Sequence, residues 1–218
     1  MDKTANLGTE KIGKLLLTLA VPSIIAQVVN ILYNMVDRIY LGRMVNGSVA
    51  MSALAVSLPV VTLILAFSQL AGVGGAPLAA IKLGENKKDG AEKIMTNSFV
   101  MLLATGILLT AAIFIFQEPL LYAFGADSTN IGMAKEYVGI YCLGTIFVQI
   151  SFGMNAYINT QGQAKFGMAT VIIGAVLNII LDPIFIFGLN MGVSGAALAT
   201  IIAQAVSALW VLKFFFGK

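Results

Sequence analysis

The sequence predicts an all-α, polytopic membrane protein, a bundle of six transmembrane helices. Three observations carry this. Of 218 residues, 59% are hydrophobic and 11% charged, where soluble domains hold about 45–50% and about 25%. The mean hydropathy is +0.93, more apolar surface than a soluble chain of this size can bury. The apolar residues also gather into six runs near the length of about 20 residues that crosses a bilayer core.

The spans lie at about 15–41, 49–81, 91–116, 137–158, 166–187 and 193–216. Residues 1–14 form a polar N-terminal segment. The first run lacks the short apolar core and small-residue cleavage site of a signal peptide, so it reads as a retained span. Pro59 and Pro77 fall inside or at the end of the second span, and a helical lead from Asn130 enters the fourth. The breaks have loop chemistry: Asn46-Gly47-Ser48, Gly84 to Gly90, Gly125 to Thr129, Gln161-Gly162-Gln163 and Gly188 to Gly192.

An even number of spans puts both termini on one side, and the basic residues select it. Lys3, Lys11, Lys14, Lys82, Lys87, Lys88, Lys93, Lys165, Lys213 and Lys218 share the terminal side, against Arg38, Arg43 and Lys135 opposite. Both termini are therefore expected in the cytoplasm, with the chain multi-pass in the cell (inner) membrane. The Asn46-Gly47-Ser48 sequon falls outside and reads as a turn.

Several function classes drop out. Cys142 is the lone cysteine and histidine is absent, which excludes an intrachain disulfide, Cys/His zinc sites and His-activated nucleophiles. No enzyme and no cofactor are expected. The basic residues form no aromatic-interleaved patch, so nucleic acid is not an expected partner. Gly8 to Lys14 reads G-x-x-x-x-G-K, but Leu15 stands where a phosphate loop needs Ser or Thr and no strand precedes it. Small residues four apart, Ala71-Gly75-Ala79, Gly195-Ala199 and Gly192-Ala196-Thr200, suit close helix packing.

The informative residues are polar groups that are costly in lipid. Asp37 and Asp182 are the two acids deep in the spans, and intramembrane carboxylates usually face a cavity or the bundle interior. Gln27, Asn30, Asn34 and Asp37 follow spacings of three and four, which put them on one helix face, with Tyr33 at its edge. Asn178 and Asp182 repeat the device one turn apart. Pro183 follows and frees the carbonyl of Ile179. Carboxylate and carbonyl oxygens suit a hard cation. At 1.5 Å per residue, Asp37, Asp182 and Thr200 fall at one level, roughly 6–11 Å below the outer surface of the bilayer core. The fourth span adds Tyr137, Tyr141, Thr145, Phe152, Asn155 and Asn159 along one face. The alternative readings are plain: an interfacial Asp37, an Asn178–Asp182 pair that only joins helices, a Thr200 bonded to its own backbone, and tyrosines of the interfacial belt.

An internal echo links the first and fifth spans. Asp37-Arg38-Ile39-Tyr40-Leu41-Gly42 and Asp182-Pro183-Ile184-Phe185-Ile186-Phe187-Gly188 each place an acid near the outer end, then Ile-aromatic, then Gly. A small-residue helix returns after each, as expected of a parallel repeat.

The segments Leu32-Tyr33-Asn34-Met35-Val36-Asp37, Leu177-Asn178-Ile179-Ile180-Leu181-Asp182-Pro183 and Gly192-Val193-Ser194-Gly195-Ala196-Ala197-Leu198-Ala199-Thr200 resemble the N-terminal lobe of the MATE (multidrug and toxic compound extrusion) family. The pattern is closest to the DinF-like branch, and Pro22, Tyr137 and Asn155 match as well. The resemblance implies one six-helix lobe of a twelve-helix, two-lobed antiporter. Such proteins exchange Na⁺ or H⁺ for organic, often cationic, compounds. It further implies a cation site at Asp37, Asn178, Asp182 and Thr200, where Na⁺ could bind. Tyr137 and Asn155 would complete a polar network, and Pro22 would bend the first span on cation binding. The family chain is about twice as long, so the sequence is expected to be a fragment, or a half that pairs with a second copy or another six-helix lobe. The two acids would titrate as a coupled pair. Two rivals are a lipid or oligosaccharide-lipid flippase of the same superfamily and a non-transporting membrane assembly subunit.

Overall fold

The computed structural model describes residues 11–217. Residues 8–10 of the loop-like run lie outside them, as do Lys3, Lys218 and most of the N-terminal segment. Helix α1 (Ile12–Gly42) passes through Pro22 without interruption, and α2 (Gly47–Gly84) likewise contains Pro59 and Pro77. Next come α3 (Lys88–Ala123), α4 (Ile131–Leu143), α5 (Thr145–Gly153), α6 (Asn155–Thr160), α7 (Ala164–Pro183) and α8 (Gly192–Phe216). No strand occurs among the described residues. The chain is a multi-pass membrane protein: five helices are long and apolar enough to span a bilayer, and a bent pair supplies the sixth crossing. A helix satisfies its own backbone in hydrocarbon, so six apolar runs become six helical crossings.

The fourth crossing departs from the continuous span read from the sequence. It is built of α4, α5 and α6, with a bend of 59° where α4 meets the rest. Gly144 sits at the break. A methyl group there would lie 2.6 Å from Ile201 of α8, so glycine permits the close approach. The bend divides the polar face expected along this span: Tyr137 and Tyr141 stand before it, Asn155 and Asn159 after it.

Helix α7 ends at Pro183, and the chain continues as a π-helical turn, Ile184–Gly188. Proline cannot donate to the α-helical ladder, and the wider register closes with Leu189 N–H on the Ile184 carbonyl at 2.8 Å. Gly195 of α8 packs on this turn, where a methyl would stand 2.8 Å from the Phe185 backbone. A methyl added to Gly72 of α2 would likewise stand 2.7 Å from the Gly153 carbonyl oxygen. These contacts are the small-residue packing of membrane helices.

Two buried apolar clusters form the core. One joins Leu41, Leu54, Ile64, Ile113, Leu121, Val138 and Ile186 at the end where α1 gives way to α2. The other joins Leu102, Ile150, Tyr157, Ile158 and Val211 at the opposite end. Tyr157 is bolted within the second: its hydroxyl bonds the Ala71 carbonyl at 3.0 Å and Ser98 Oγ at 2.5 Å. Nearby, Phe166 stacks on Trp210 with 4.6 Å between centroids, and Lys213 lies 5.5 Å over the indole. Such rings and cations suit a membrane interface. Helix α1 is the least buried of the five long apolar helices and leans chiefly on α7.

Candidate functional site

The site is the place where α1, α7 and α8 bring oxygens together in an apolar bundle. Asp182 is fully buried on α7, and Asn178 one turn below it is 2% exposed. Asn178 Nδ2 donates to Asp182 Oδ1 at 3.2 Å and to Thr200 Oγ1 of α8 at 3.3 Å. Thr200 in turn donates to its own helix at the Ala196 carbonyl, 3.0 Å away. Asp37 enters from α1, and its carboxyl lies close enough to Asp182 for the two groups to act on each other electrostatically. Thus the four residues expected at one level do meet. Asp37 is half-buried and faces the fully buried Asp182.

Three oxygens in this cluster are buried without a hydrogen-bond donor among the described residues: Asp37 Oδ1, Asp182 Oδ2 and Asn178 Oδ1. Buried polar atoms in folded proteins are normally satisfied, and each orphan costs about 1–3 kcal/mol. A set of oxygens without donors is what a hard cation or a shared proton would satisfy. The Asn178 amide is held by its nitrogen, so its oxygen is aimed by the bonds to Asp182 and Thr200.

The supporting residues divide. Tyr137, 5% exposed, faces Asp37 and Asp182 electrostatically and stacks on Tyr141 with centroids 6.0 Å apart. Tyr33 of α1 faces both acids, and the Arg38 charge acts on Asp37. Asn30 and Asn155 line a small chamber together with Asn178 and Thr200. Asn155 Nδ2 donates to the Gly167 carbonyl at 3.3 Å, and its Oδ1 is a further orphan. Asn34 is exposed and donates back to Asn30, at 2.7 Å to the carbonyl and 3.0 Å to Oδ1. Gln27 is not at the acid pair: it lies ten residues, about 15 Å, along α1 and lines a separate groove with Gln69 and Asn159. Pro22 is buried in α1, remote from the cluster, while Pro183 directly follows Asp182.

Sequence reasoning missed Ser151, Thr170, Gln204 and Ser207, all buried beside the site. Ser151 Oγ donates to Gln204 Oε1 at 2.6 Å, and Ser207 Oγ donates to the Thr170 carbonyl at 3.1 Å. A signal was present: Thr200, Gln204 and Ser207 are spaced four and three on α8, and Thr170, Gly174 and Asn178 are spaced four on α7. Two polar or small stripes of helical period face one another.

Comparison with known proteins agrees with this geometry. The family model MatE matches residues 22–184. Multidrug export protein MepA of Staphylococcus haemolyticus (strain JCSC1435) is 27% identical over 207 residues, covering 95% of this chain and 46% of its own. MepA of Staphylococcus aureus (strain MSSA476) is 26% identical, covering 93% and 45%. A solved structure described as the outward-facing conformation of a multidrug resistance MATE family transporter superposes with a TM-score of 0.92 at 28% identity, over 100% of this chain and 48% of that one. The chain spans about half the length of the relatives it matches.

Proposed function

Because the chain belongs to the MATE family, we propose that it forms the N-terminal lobe of a cation-coupled multidrug efflux antiporter of the cell membrane, on its DinF-like branch and with both termini cytoplasmic. The observation that carries the reading is the approach of Asp37 and Asp182 from separate helices, each with a buried oxygen that lacks a hydrogen-bond donor among the described residues.

Asp37, Asn178, Asp182 and Thr200 form the coupling site. Two carboxyl groups in contact titrate together, so one incoming H⁺ or Na⁺ changes the charge of the whole cluster. Asn178 orients the Asp182 carboxylate, and Thr200 fixes the amide. Neutralising the cluster removes the attraction that holds a cationic organic substrate, so ion and substrate compete for one negative charge. Helix α1 carries Asp37 and leans mainly on α7, so it is the element freest to respond, with Pro22 its point of bending. A second six-helix lobe closes the other side of the cleft. A flippase for lipid pyrophosphates needs a basic cavity. Among the described groove-lining residues Arg38 alone is basic.

The test is drug susceptibility of cells carrying a transporter that contains this lobe. Asp37→Asn and Asp182→Asn are each expected to return susceptibility to that of cells without it. Resistance equal to wild type in both variants sinks the coupling role. Substrate uptake by proteoliposomes under an imposed Na⁺ or H⁺ gradient then identifies the ion.

A further inference from the structure

The acid pair does not end the polar architecture. Below Asn178 and Thr200, toward the end of the lobe that carries the N-terminus, lies a chamber between α1, α5, α7 and α8. It offers about 30 Å³ to the centres of water-sized spheres, room for about two waters. Its walls are the buried pairs Ser151–Gln204 and Ser207–Thr170. Gly174 keeps it open: a methyl there would stand 2.7 Å from Ser207 Oγ. At its upper end is the orphan Asn178 Oδ1, on a side chain 2% exposed, and Asn155 carries a second orphan oxygen. Asn30, Phe152, Asn155 and Val171 belong both to this chamber and to the next groove. That groove, of about 410 Å³, is lined with the uncharged polar side chains Ser23, Gln27, Gln69 and Asn159.

We propose that this chamber is a hydrated relay, the inner route by which the coupling ion passes between the acid pair and the groove on the N-terminal side, with Gln204 and Ser151 as its gate. Burying hydroxyls and amides in a membrane bundle is costly unless they find partners. Water bridging the two orphan amide oxygens supplies them, and buried waters typically make about three hydrogen bonds. The lining is neutral, so it conducts an ion or proton without trapping it. The charge sits at one end, with Arg38, Tyr33 and Tyr137 the other ionisable groups facing the pair. A further groove, on the α1 side, is lined by Asn34 and Arg38 and shares Asn30 with the chamber.

The inference rests on the ion-coupling reading of Asp37 and Asp182, and its test separates the two. The full chain is placed in vesicles with its orientation fixed, and the infrared carboxyl band of the pair is followed after a pH step on one side. Asp37→Asn and Asp182→Asn assign the band. In Gln204→Leu and Gly174→Ala, a step on the N-terminal side is expected to reach the pair about tenfold more slowly, as loss of the bridging waters predicts. A step on the opposite side is answered at the wild-type rate. Thermal unfolding of each variant reports its folding, and Ser151→Ala, the smallest change to the gate, is expected to slow the same step. Wild-type rates from the N-terminal side in the folded variants overturn the relay and leave the coupling site standing. No carboxyl response from either side in the unmodified chain overturns both.

Discussion

Asp37 and Asp182 stood out in the sequence as site candidates because a carboxylate within an apolar run is costly in lipid. Their partners Asn178 and Thr200 followed from one-turn spacing and depth. Gln27 followed the same spacing on α1 and still lies elsewhere, because a stripe along a helix says which face is polar and not how far the pocket extends. At this scale the tightest steric requirement outside the site is Gly75. A methyl group there runs into the Tyr157 hydroxyl and Ser98 Oγ, the bonds that bolt α2, α3 and α6 together. Gly75→Ala is therefore expected to destabilise the lobe by about 1–3 kcal/mol, the usual cost of overpacking. The lowered midpoint of thermal unfolding in detergent measures it. The double variant Gly75→Ala with Tyr157→Phe is expected to recover part of the loss, since the clashing oxygen is gone.

Helices were predictable as elements because each apolar run had a length and flanking polar turns that only a spanning helix satisfies. The interruption of the fourth crossing was not, since a lone glycine in an apolar helix is common and only Ile201 across the interface makes Gly144 necessary. The turn between α3 and α4 shows how a local element is tied down. Asp127 Oδ1 accepts from Thr129 Oγ1 at 2.5 Å, Thr129 N–H at 2.8 Å and Asn130 N–H at 3.1 Å. Asn130 Nδ2 then reaches Ser52 Oγ on α2 at 2.8 Å. The Thr129 side chain, then its backbone N–H, holds the Asp127 carboxyl below the usual carboxylate range. A group depressed in the folded state stabilises it above the unfolded value of about 3.9, and the effect is lost as pH falls through the lower folded value. Amide protection at Thr129 and Asn130 is thus expected to hold from neutral pH to about 5 and to fall below about 4. In Asp127→Ala it is low throughout. Hydrogen exchange at these two amides checks both statements, and a loss of protection already at neutral pH in the native turn contradicts them.

For the molecule as a whole, the lobe has two kinds of exposed surface. Leu108 and Ile115 of α3 are 67% and 71% exposed, a side chain pattern that requires lipid. Gln27 and Gln69 are also exposed, but they line a groove. A lysine on the first surface meets hydrocarbon, at about 2.5–3.5 kcal/mol near the middle of a span, while a lysine in the groove meets water. Leu108→Lys is expected to cut the membrane-inserted, folded fraction, and Gln69→Lys to leave it near wild type. Fluorescence-detected size exclusion of the two variants compares them directly, and equal losses would contradict this assignment of the faces.

The sequence alone determined the six-span architecture and singled out the two acids within it, because hydrocarbon charges so heavily for unpaired polar groups that their placement reads one helix at a time. Tertiary structure decided what depends on two helices at once. The bend of the fourth crossing, the junction of Asp37 with Asp182, and the chamber walled by Ser151, Thr170, Gln204 and Ser207 all arise between helices. Spacing along one chain carries no record of the neighbour it will face.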